Sequence, residues 1–211
     1  MARGRFITFE GGEGTGKSTQ VRILAERLRA GGLDVVVTRE PGGSPGAETL
    51  RRLLLEGEAD RWSPVSETLL MYAARADHLE TLIRPALVRG AWVICDRFFD
   101  STRAYQGAGG GAPAQLIASL EQAVVGEDRP DLTLVLDLPA EVGLERAIGR
   151  TKLDRIEARD RGFHERLRAA FLHIAAREPD RCGLIDAAPN IETVAAAIWE
   201  TVQTRLGVSA A

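Results

Sequence analysis

Short apolar runs alternate along the chain with longer stretches in which apolar side chains recur every three or four residues. Runs rich in β-branched and aromatic residues predict strands at 6–9, 35–38, 92–95, 132–136 and 183–185. Apolar positions at helical spacing predict helices over 18–30, 65–89 and 191–206. The predicted strands are nearly continuous in apolar residues, which is typical of strands buried on both faces of a parallel sheet. The alternation of strand and helix therefore predicts an α/β fold with a parallel sheet.

The chain shows no internal repeat and no low-complexity linker that would divide it. Its 211 residues suit one domain, or one domain with a small appended lid. A run of glycines at 107–111 predicts a loop rather than an interdomain tether. We therefore expect residues 1–211 to form a single domain.

Composition excludes several classes of protein. Apolar residues make up 45% and charged residues 27%, as in an average soluble globular domain. No apolar run approaches the length needed to cross a bilayer, and no signal peptide is recognisable. The net charge of −3 gives no reason to expect a nucleic acid as partner. Cys95 and Cys182 fit no zinc or redox motif and predict buried free thiols, so a cytoplasmic enzyme or binding domain is favoured.

The segment between the first predicted strand and the first predicted helix matches the pattern G-x-x-x-x-G-K-S/T. It comprises Gly11, Gly12, Glu13, Gly14, Thr15, Gly16, Lys17 and Ser18, and Thr19 follows it. Glycines allow backbone N–H groups to point at a phosphate, and the helix that begins here adds the positive end of its dipole. Lys17 supplies charge for the β- and γ-phosphates, and the Ser18 hydroxyl is a suitable ligand for Mg2+. The motif therefore predicts a nucleoside triphosphate site.

Three classes of protein share such a loop: small-molecule kinases, GTPase switches and ATPase motors. The N-K-x-D sequence with which a GTPase reads guanine is missing from the chain. A motor is expected to be larger and to carry an acidic pair after an apolar strand, whereas here the third strand ends in Asp96 and Arg97. Asp96 is expected beside the phosphate loop, where it could hold magnesium through water. Arg97 would then face the transferred phosphoryl group.

Four further motifs carry a resemblance to a known family. They are T-R-E-P-G-G at 38–43, D-R-F at 96–98, D-S-T-R-A-Y-Q-G at 100–107 and L-D-R-I-E at 153–157. With the phosphate loop, they resemble the bacterial thymidylate kinases, a group of P-loop nucleoside monophosphate kinases, from about residue 6 to about residue 160. The resemblance implies a three-layer α/β/α fold whose five-stranded parallel sheet has the order 2-3-1-4-5. It also implies a homodimer that transfers the γ-phosphoryl group of ATP to dTMP with magnesium, on the route to dTTP.

The resemblance also implies roles for individual residues. Arg97 would bridge the acceptor and donor phosphates, Arg51 would bind the substrate phosphate, and Tyr105 would pack on the deoxyribose. The substrate site that it implies comprises Glu13, Glu40, Arg51, Met71, Arg75, Arg97, Ser101, Thr102, Tyr105 and Gln106. The implied catalytic residues are Lys17, Asp96, Arg97 and Arg150, and the implied metal ligands are Ser18 and Asp96. A carboxylate inside a phosphate cradle would repel ATP, so we expect Glu13 to point toward the acceptor.

Two departures from the family pattern change this picture. Some relatives carry an arginine at the position of Gly14, so here the catalytic arginine is expected to come from elsewhere. The charged segment 145–161 resembles the lid, in which Arg150 is expected to close on the phosphates and Arg146 and Arg155 to lie near ATP.

The second departure concerns the base. Met71 stands where relatives place a phenylalanine that stacks on thymine, one helical turn before Arg75. Met71 can still reach the base, or the neighbouring Tyr72 can turn in instead. A kinase for uridylate or a modified deoxynucleotide is therefore an alternative. A nucleotide-binding regulatory protein without transfer activity is another.

Overall fold

The structure, a computed structural model, describes residues 3–58, 60–148 and 159–208. The described residues contain a five-stranded parallel sheet in the order β2-β3-β1-β4-β5. Its strands are β1 (Phe6–Glu10), β2 (Val35–Arg39), β3 (Trp92–Asp96), β4 (Leu132–Asp137) and β5 (Cys182–Asp186). The five predicted strands and the predicted order are confirmed.

Helices cover both faces of this sheet. They are α1 (Lys17–Ala30), α2 (Pro45–Leu55), α3 (Pro64–His78), α4 (Arg84–Val88), α5 (Phe99–Thr102), α6 (Ala114–Val124), α7 (Ala140–Ile148), α8 (Arg161–Arg177) and α9 (Ile191–Leu206). Ile7 and Leu134 pack with α1 and α9 on one face. Phe6 and Val93 pack with Tyr72 of α3 and with α4 on the other face, and Val135 packs there with α8. The result is the expected three-layer α/β/α arrangement.

The helices next to the site begin at clear sequence signals. Ser44 precedes Pro45 at the start of α2, and its hydroxyl accepts a hydrogen bond from the N–H of Ala47. Ser63 precedes Pro64 at the start of α3 in the same way. A serine cap followed by proline at the first helical position is a strong helix start, so α3 is firmly fixed at its N-terminus.

The predicted helix over 65–89 is continuous but not uniform. A π-helical turn, Leu79–Ile83, separates α3 from α4. Pro85 lies two residues after this turn and has no N–H to donate to it. The wider turn accommodates the proline without breaking the helix.

The prediction of a loop at 107–111 is wrong for its first three residues. Residues Arg103–Gly109 form a π-helical segment that continues α5. The Phe163 ring packs so closely against Gly109 that a Cβ at this position would lie 2.6 Å from it. This tertiary contact holds glycines in a helical conformation that their sequence disfavours.

Two predictions from composition can be compared with the structure. Cys95 and Cys182 are buried and free, as predicted. Within the described ranges, no helix combines the length and the apolarity that a bilayer crossing requires.

Candidate active site

The glycine-rich loop lies between β1 and α1, at the carboxyl end of the central strand. Gly16 adopts a left-handed conformation, with φ of 85°, immediately before α1 begins at Lys17. Gly11 has φ of 133°, and a Cβ there would lie 2.4 Å from the carbonyl oxygen of Leu136. Both positions therefore require glycine, and the loop is pressed against the end of β4.

Gly14 forms a second close contact, with α7. Its φ is 66°, and a Cβ on it would lie 2.0 Å from the carbonyl oxygen of Gly143. In return, a Cβ on Gly143 would lie 2.4 Å from the carbonyl oxygen of Glu13. The phosphate loop and α7 thus meet backbone against backbone, which leaves no space for a side chain at position 14.

This contact gives a first prediction. Gly14→Ala should lower the free energy of unfolding by about 1–3 kcal/mol or more. The added Cβ would clash with the backbone of Gly143, and alanine is also strained at this positive φ. Turnover should fall at the same time, since the loop must shift. Gly12→Ala is the matched control, because no described atom lies within 4 Å of a Cβ at Gly12. Equal stability of the two variants in urea denaturation would refute the contact.

Lys17 lies folded into the loop. Its Nζ atom donates hydrogen bonds to the carbonyl oxygens of Gly12, at 2.7 Å, and of Gly11, at 3.2 Å. Burial, and after it the neighbouring Arg97 charge, lowers the pKa of Lys17 to about 8. At neutral pH the ammonium group is therefore still largely charged, as binding of a phosphate requires.

Ser18 and Asp96 are brought together as a candidate magnesium site. The Ser18 hydroxyl donates to Oδ2 of Asp96 at 2.7 Å, joining the start of α1 to the end of β3. In the described parts of the chain, no three histidine, cysteine or acidic side chains cluster as a metal cage. One hydroxyl and one carboxylate beside a phosphate site fit Mg2+, which keeps several waters and takes substrate phosphates as ligands.

Arg97 follows β3 with φ of 71°, a rare value for a residue other than glycine. Its Nη1 atom donates to the carbonyl oxygen of Gly11 at 2.9 Å, and its Nη2 atom donates to Glu13 at 2.8 Å. The guanidinium carbon lies 4.7 Å from the centroid of the Tyr105 ring. These contacts fix a cation between the phosphate loop and the adjoining cavity.

The support behind Arg97 comes from Glu10, which sequence reasoning missed. The buried Glu10 carboxylate accepts hydrogen bonds from the N–H groups of Phe98, at 2.8 Å, and Ser101, at 3.3 Å. It also accepts from the Ser101 hydroxyl, whose oxygen accepts from Arg97 at 3.2 Å. Burial, followed by the neighbouring Asp100 charge, raises the pKa of Glu10. The signal that could have revealed it is an acid at the end of the first, mostly apolar strand.

Glu13 lines the cavity. One of its oxygens accepts from Arg97 and from the hydroxyl of Tyr105. Burial alone would raise the pKa of Glu13, but the charges of Arg97 and Lys17 outweigh it and lower the pKa to about 2. Glu13 is therefore ionised at every physiological pH.

A pH dependence follows from this shift. Because the pKa of Glu13 falls from 4.5 to about 2 on folding, its contribution to stability is complete above pH 4.5. That contribution, at most about 3 kcal/mol, is lost as the pH falls toward 2. The unfolding free energies of the wild type and Glu13→Gln should therefore converge over this range. Glu26→Gln, at an exposed position of α1, is the control. A gap for Glu13→Gln that stays constant with pH would contradict the prediction.

A cavity of about 220 Å³ opens beside the phosphate loop. The ten residues of the substrate site implied by the resemblance all line it, and so do Ser18 and Asp96. It is also lined by Arg39, Pro41, Leu55 and Phe98, which were not predicted. Arg51 donates to the carbonyl oxygen of Pro41 at 2.6 Å, which holds its side chain at the cavity.

Arg75 is a buried side chain of the cavity that several neighbours hold in place. It is 2% exposed and lies between the rings of Tyr72 and Phe98. Its Nε atom donates to Glu40 at 2.8 Å, and its Nη2 atom donates to the Thr102 hydroxyl at 3.1 Å. Its buried Nη1 atom has no hydrogen-bond partner among the described residues. Arg75 therefore offers one fixed donor.

Glu40 owes its position to a histidine that sequence reasoning did not assign to the site. His78 lies one turn after Arg75 on α3, and its Nδ1 atom is 3.0 Å from the second oxygen of Glu40. Its Nε2 atom is 2.7 Å from the Thr38 hydroxyl at the end of β2. His78 thus ties Glu40 to both α3 and the sheet.

The alternatives for residues 71 and 72 are resolved by the packing. Met71 lines the cavity. Tyr72 packs with Phe6, Leu79 and Ile83 in the core. The alternative in which Tyr72 turns into the cavity is therefore wrong.

The predicted lid is described at its two ends. Arg146, on α7, donates to the carbonyl oxygens of Ala187, at 3.1 Å, and Ala188, at 3.2 Å, in the loop after β5. Arg150 and Arg155 lie outside the described residues. Arg146 thus joins α7 to a loop at the same edge of the sheet as the phosphate loop.

Comparisons with known proteins agree with this geometry. The family model for thymidylate kinase matches residues 9–198. A thymidylate kinase of Caulobacter vibrioides is 65% identical, covering 99% of this chain and 100% of its own. A thymidylate kinase of Afipia carboxidovorans is 56% identical, and the match covers 97% of this chain and 91% of that protein. The crystal structure of thymidylate kinase from Ehrlichia chaffeensis matches this fold with a TM-score of 0.78 and a sequence identity of 34%. The match covers 95% of this chain and 100% of that chain. The chain therefore belongs to the thymidylate kinase family and phosphorylates dTMP.

Proposed function

We propose that the cavity binds dTMP, that the phosphate loop binds the phosphates of ATP, and that Arg97 acts on both. The observation that carries this proposal is the position of Arg97, which bonds to Gly11 of the loop and to Glu13 at the cavity. A guanidinium held there can contact the acceptor phosphate and the transferred phosphoryl group together.

The reaction requires positive charge near the phosphates rather than a general base. The acceptor is a phosphate monoester, whose second pKa of about 6 leaves it largely dianionic at pH 7. It needs no general base, but its repulsion from the polyphosphate must be relieved. Lys17 and Arg97 supply positive charge on the two sides of the reacting group. Glu13, ionised and bonded to Tyr105, orients Arg97 and faces the sugar.

Ser18 and Asp96 would hold Mg2+. The ion would neutralise part of the charge on the phosphates of ATP when bound. Ser18 lies at the start of α1 and Asp96 at the end of β3, so both groups are placed by rigid elements. Their direct contact of 2.7 Å sets two oxygen ligands side by side.

This arrangement predicts the magnesium dependence of one variant. Asp96→Asn should raise the magnesium concentration for half-maximal turnover by about tenfold, because it removes the charged member of the pair. Turnover at saturating magnesium should recover in part. Asp34→Asn, at a carboxylate that pairs with Arg89 at the surface, is the control. An unchanged magnesium requirement would place the ion elsewhere.

The acceptor site divides into three parts. Arg51 binds the 5′-phosphate, and Tyr105 packs on the deoxyribose where a 2′-hydroxyl would clash. The base lies among Met71, Arg75, Ser101, Thr102 and Gln106. One carboxylate oxygen of Glu40 bonds to Arg75 and the other to His78. Glu40 therefore acts on the base through Arg75.

The remaining proposals concern the lid and the assembly. Residues 1–211 form one domain whose lid, about 145–161, closes over ATP. Within the lid, Arg150 reaches the transferred phosphoryl group, while Arg146 and Arg155 lie near ATP. The contact between Gly14 and Gly143 leaves no space for an arginine side chain at position 14, which supports an arginine from the lid in the catalytic role. The enzyme works as a cytoplasmic homodimer, without a nucleic acid or a membrane as partner.

A further inference from the structure

Glu67 lies on the face of α3 that carries Met71 and Arg75 toward the cavity. The three residues stand at i, i+4 and i+8, so they share one side of the helix. Glu67 is 8% exposed, and its Oε1 atom accepts a hydrogen bond from Nε2 of Gln106 at 2.9 Å. Gln106 is 2% exposed and lines the cavity from the π-helical segment after α5.

This hydrogen bond fixes which end of the Gln106 amide faces which neighbour. A glutamine amide has a donor end and an acceptor end, whereas a carboxylate only accepts. Glu67 therefore holds the nitrogen end of the Gln106 amide, so the amide oxygen points away from Glu67. Turning the amide over would place its oxygen against the carboxylate, a repulsive contact in a buried setting.

Arg75 provides the complementary group. Two of its nitrogen atoms are engaged by Glu40 and Thr102, and the buried Nη1 remains as a donor. Arg75 and Gln106 both line the cavity. The unpaired Nη1 of Arg75 is the donor available to a base bound there, and the amide oxygen of Gln106, which Glu67 does not hold, is the acceptor. Thymine and uracil match this pair, since they carry a C4 carbonyl that accepts and an N3–H that donates. Cytosine has an amino group that donates at C4 and a bare N3 that accepts, so it is mismatched at both positions.

We propose that Glu67 is a specificity-determining residue that acts through Gln106, selecting the imide edge of thymine over the amidine edge of cytosine. The inference rests on the proposed placement of the base in this cavity. Glu67 is a positioning residue, because its effect on the nucleotide passes through the amide that it orients.

The test is the affinity of wild type and Glu67→Gln for dTMP, dUMP and dCMP, measured by isothermal titration calorimetry. The amide that this substitution introduces can donate or accept, so the Gln106 amide loses its preferred orientation. The ratio of dTMP to dCMP affinity should fall by about tenfold, the range for one mismatched buried hydrogen bond. The ratio of dTMP to dUMP affinity should stay within about twofold, because these two bases share the same edge.

Two further variants separate this role from a structural one. Gln106→Leu should lower the dTMP to dCMP ratio as well, and adding Glu67→Gln to it should cause no further change. Glu67→Ala also releases the amide and should shift the ratio in the same direction, which keeps the test open if Glu67→Gln folds poorly. A merely structural role would weaken the affinity for all three nucleotides equally.

The two possible failures are distinguishable. A wild-type protein that binds dCMP as tightly as dTMP would overturn the proposed base site, and this inference with it. A wild-type preference for dTMP that persists unchanged in Glu67→Gln and Glu67→Ala would overturn the inference alone.

Discussion

Replacing Arg97 with alanine is expected to lower turnover on the order of a hundredfold or more. The guanidinium is held between the phosphate loop and the cavity by Gly11, Glu13 and Ser101. Loss of one charged donor to the transition state typically costs a factor of about 100 to 1,000. The variant also removes the main counter-charge of the Glu13 carboxylate, which lies beside the phosphate loop. Both effects oppose transfer, so the fall should appear in kcat more than in the KM values for ATP and dTMP.

Turnover and stability of two Arg97 variants distinguish loss of the guanidinium from relief of backbone strain. Arg97 has φ of 71°, so alanine keeps an unfavourable backbone whereas glycine relieves it. Arg97→Gly should lose as much turnover as Arg97→Ala, although it should be the more stable of the two. Arg22→Ala, which removes an exposed arginine from α1, is the control and should leave kcat unchanged. Unchanged turnover in either Arg97 variant would remove Arg97 from the mechanism.

Arg75→Ala is expected to lower the free energy of unfolding by about 3–5 kcal/mol, because it breaks a buried ion pair and strands one charge. The guanidinium is 2% exposed and bonds to Glu40, whose carboxylate is also buried. Without Arg75, only His78 remains to face that carboxylate from α3. The packing of the guanidinium between Tyr72 and Phe98 is lost as well.

Urea denaturation with a double-mutant cycle provides the check. The double variant Glu40→Ala/Arg75→Ala should lose clearly less stability than the sum of the two single variants, since no unpaired charge remains. Arg39→Ala is the matched control, because Arg39 pairs with Glu48 at the surface, where such pairs contribute about 0–1 kcal/mol. A similar, small loss for Arg75→Ala and Arg39→Ala would contradict the account.

The fold was largely predictable because its signals are local. Each strand is a compact apolar run, and the phosphate loop is a contiguous motif that fixes where β1 ends and α1 begins. The order of the strands came from the family resemblance rather than from the apolar pattern. The same holds for most of the cavity, where Arg51, Arg75 and Gln106 were assigned because the family resemblance implies their roles.

What the sequence did not reveal depends on contacts between distant segments. Glu10, His78 and Glu67 each act on a neighbour supplied by another element, and nothing in their local sequence names that neighbour. The contact between Gly14 and Gly143 likewise joins the phosphate loop to a helix that follows β4. These contacts exist only once the sheet has brought the carboxyl ends of its strands together.

The most direct test of the central claim is a coupled assay of ADP release with ATP and magnesium. The acceptors are dTMP, dUMP, UMP, dCMP and dGMP, each tested separately, and the product is identified by chromatography. The account predicts the highest kcat/KM for dTMP, with dTDP formed in step with ADP, weaker activity on dUMP, and the least on dCMP and dGMP. Faster transfer to another monophosphate, or binding of ATP without formation of dTDP, would contradict it.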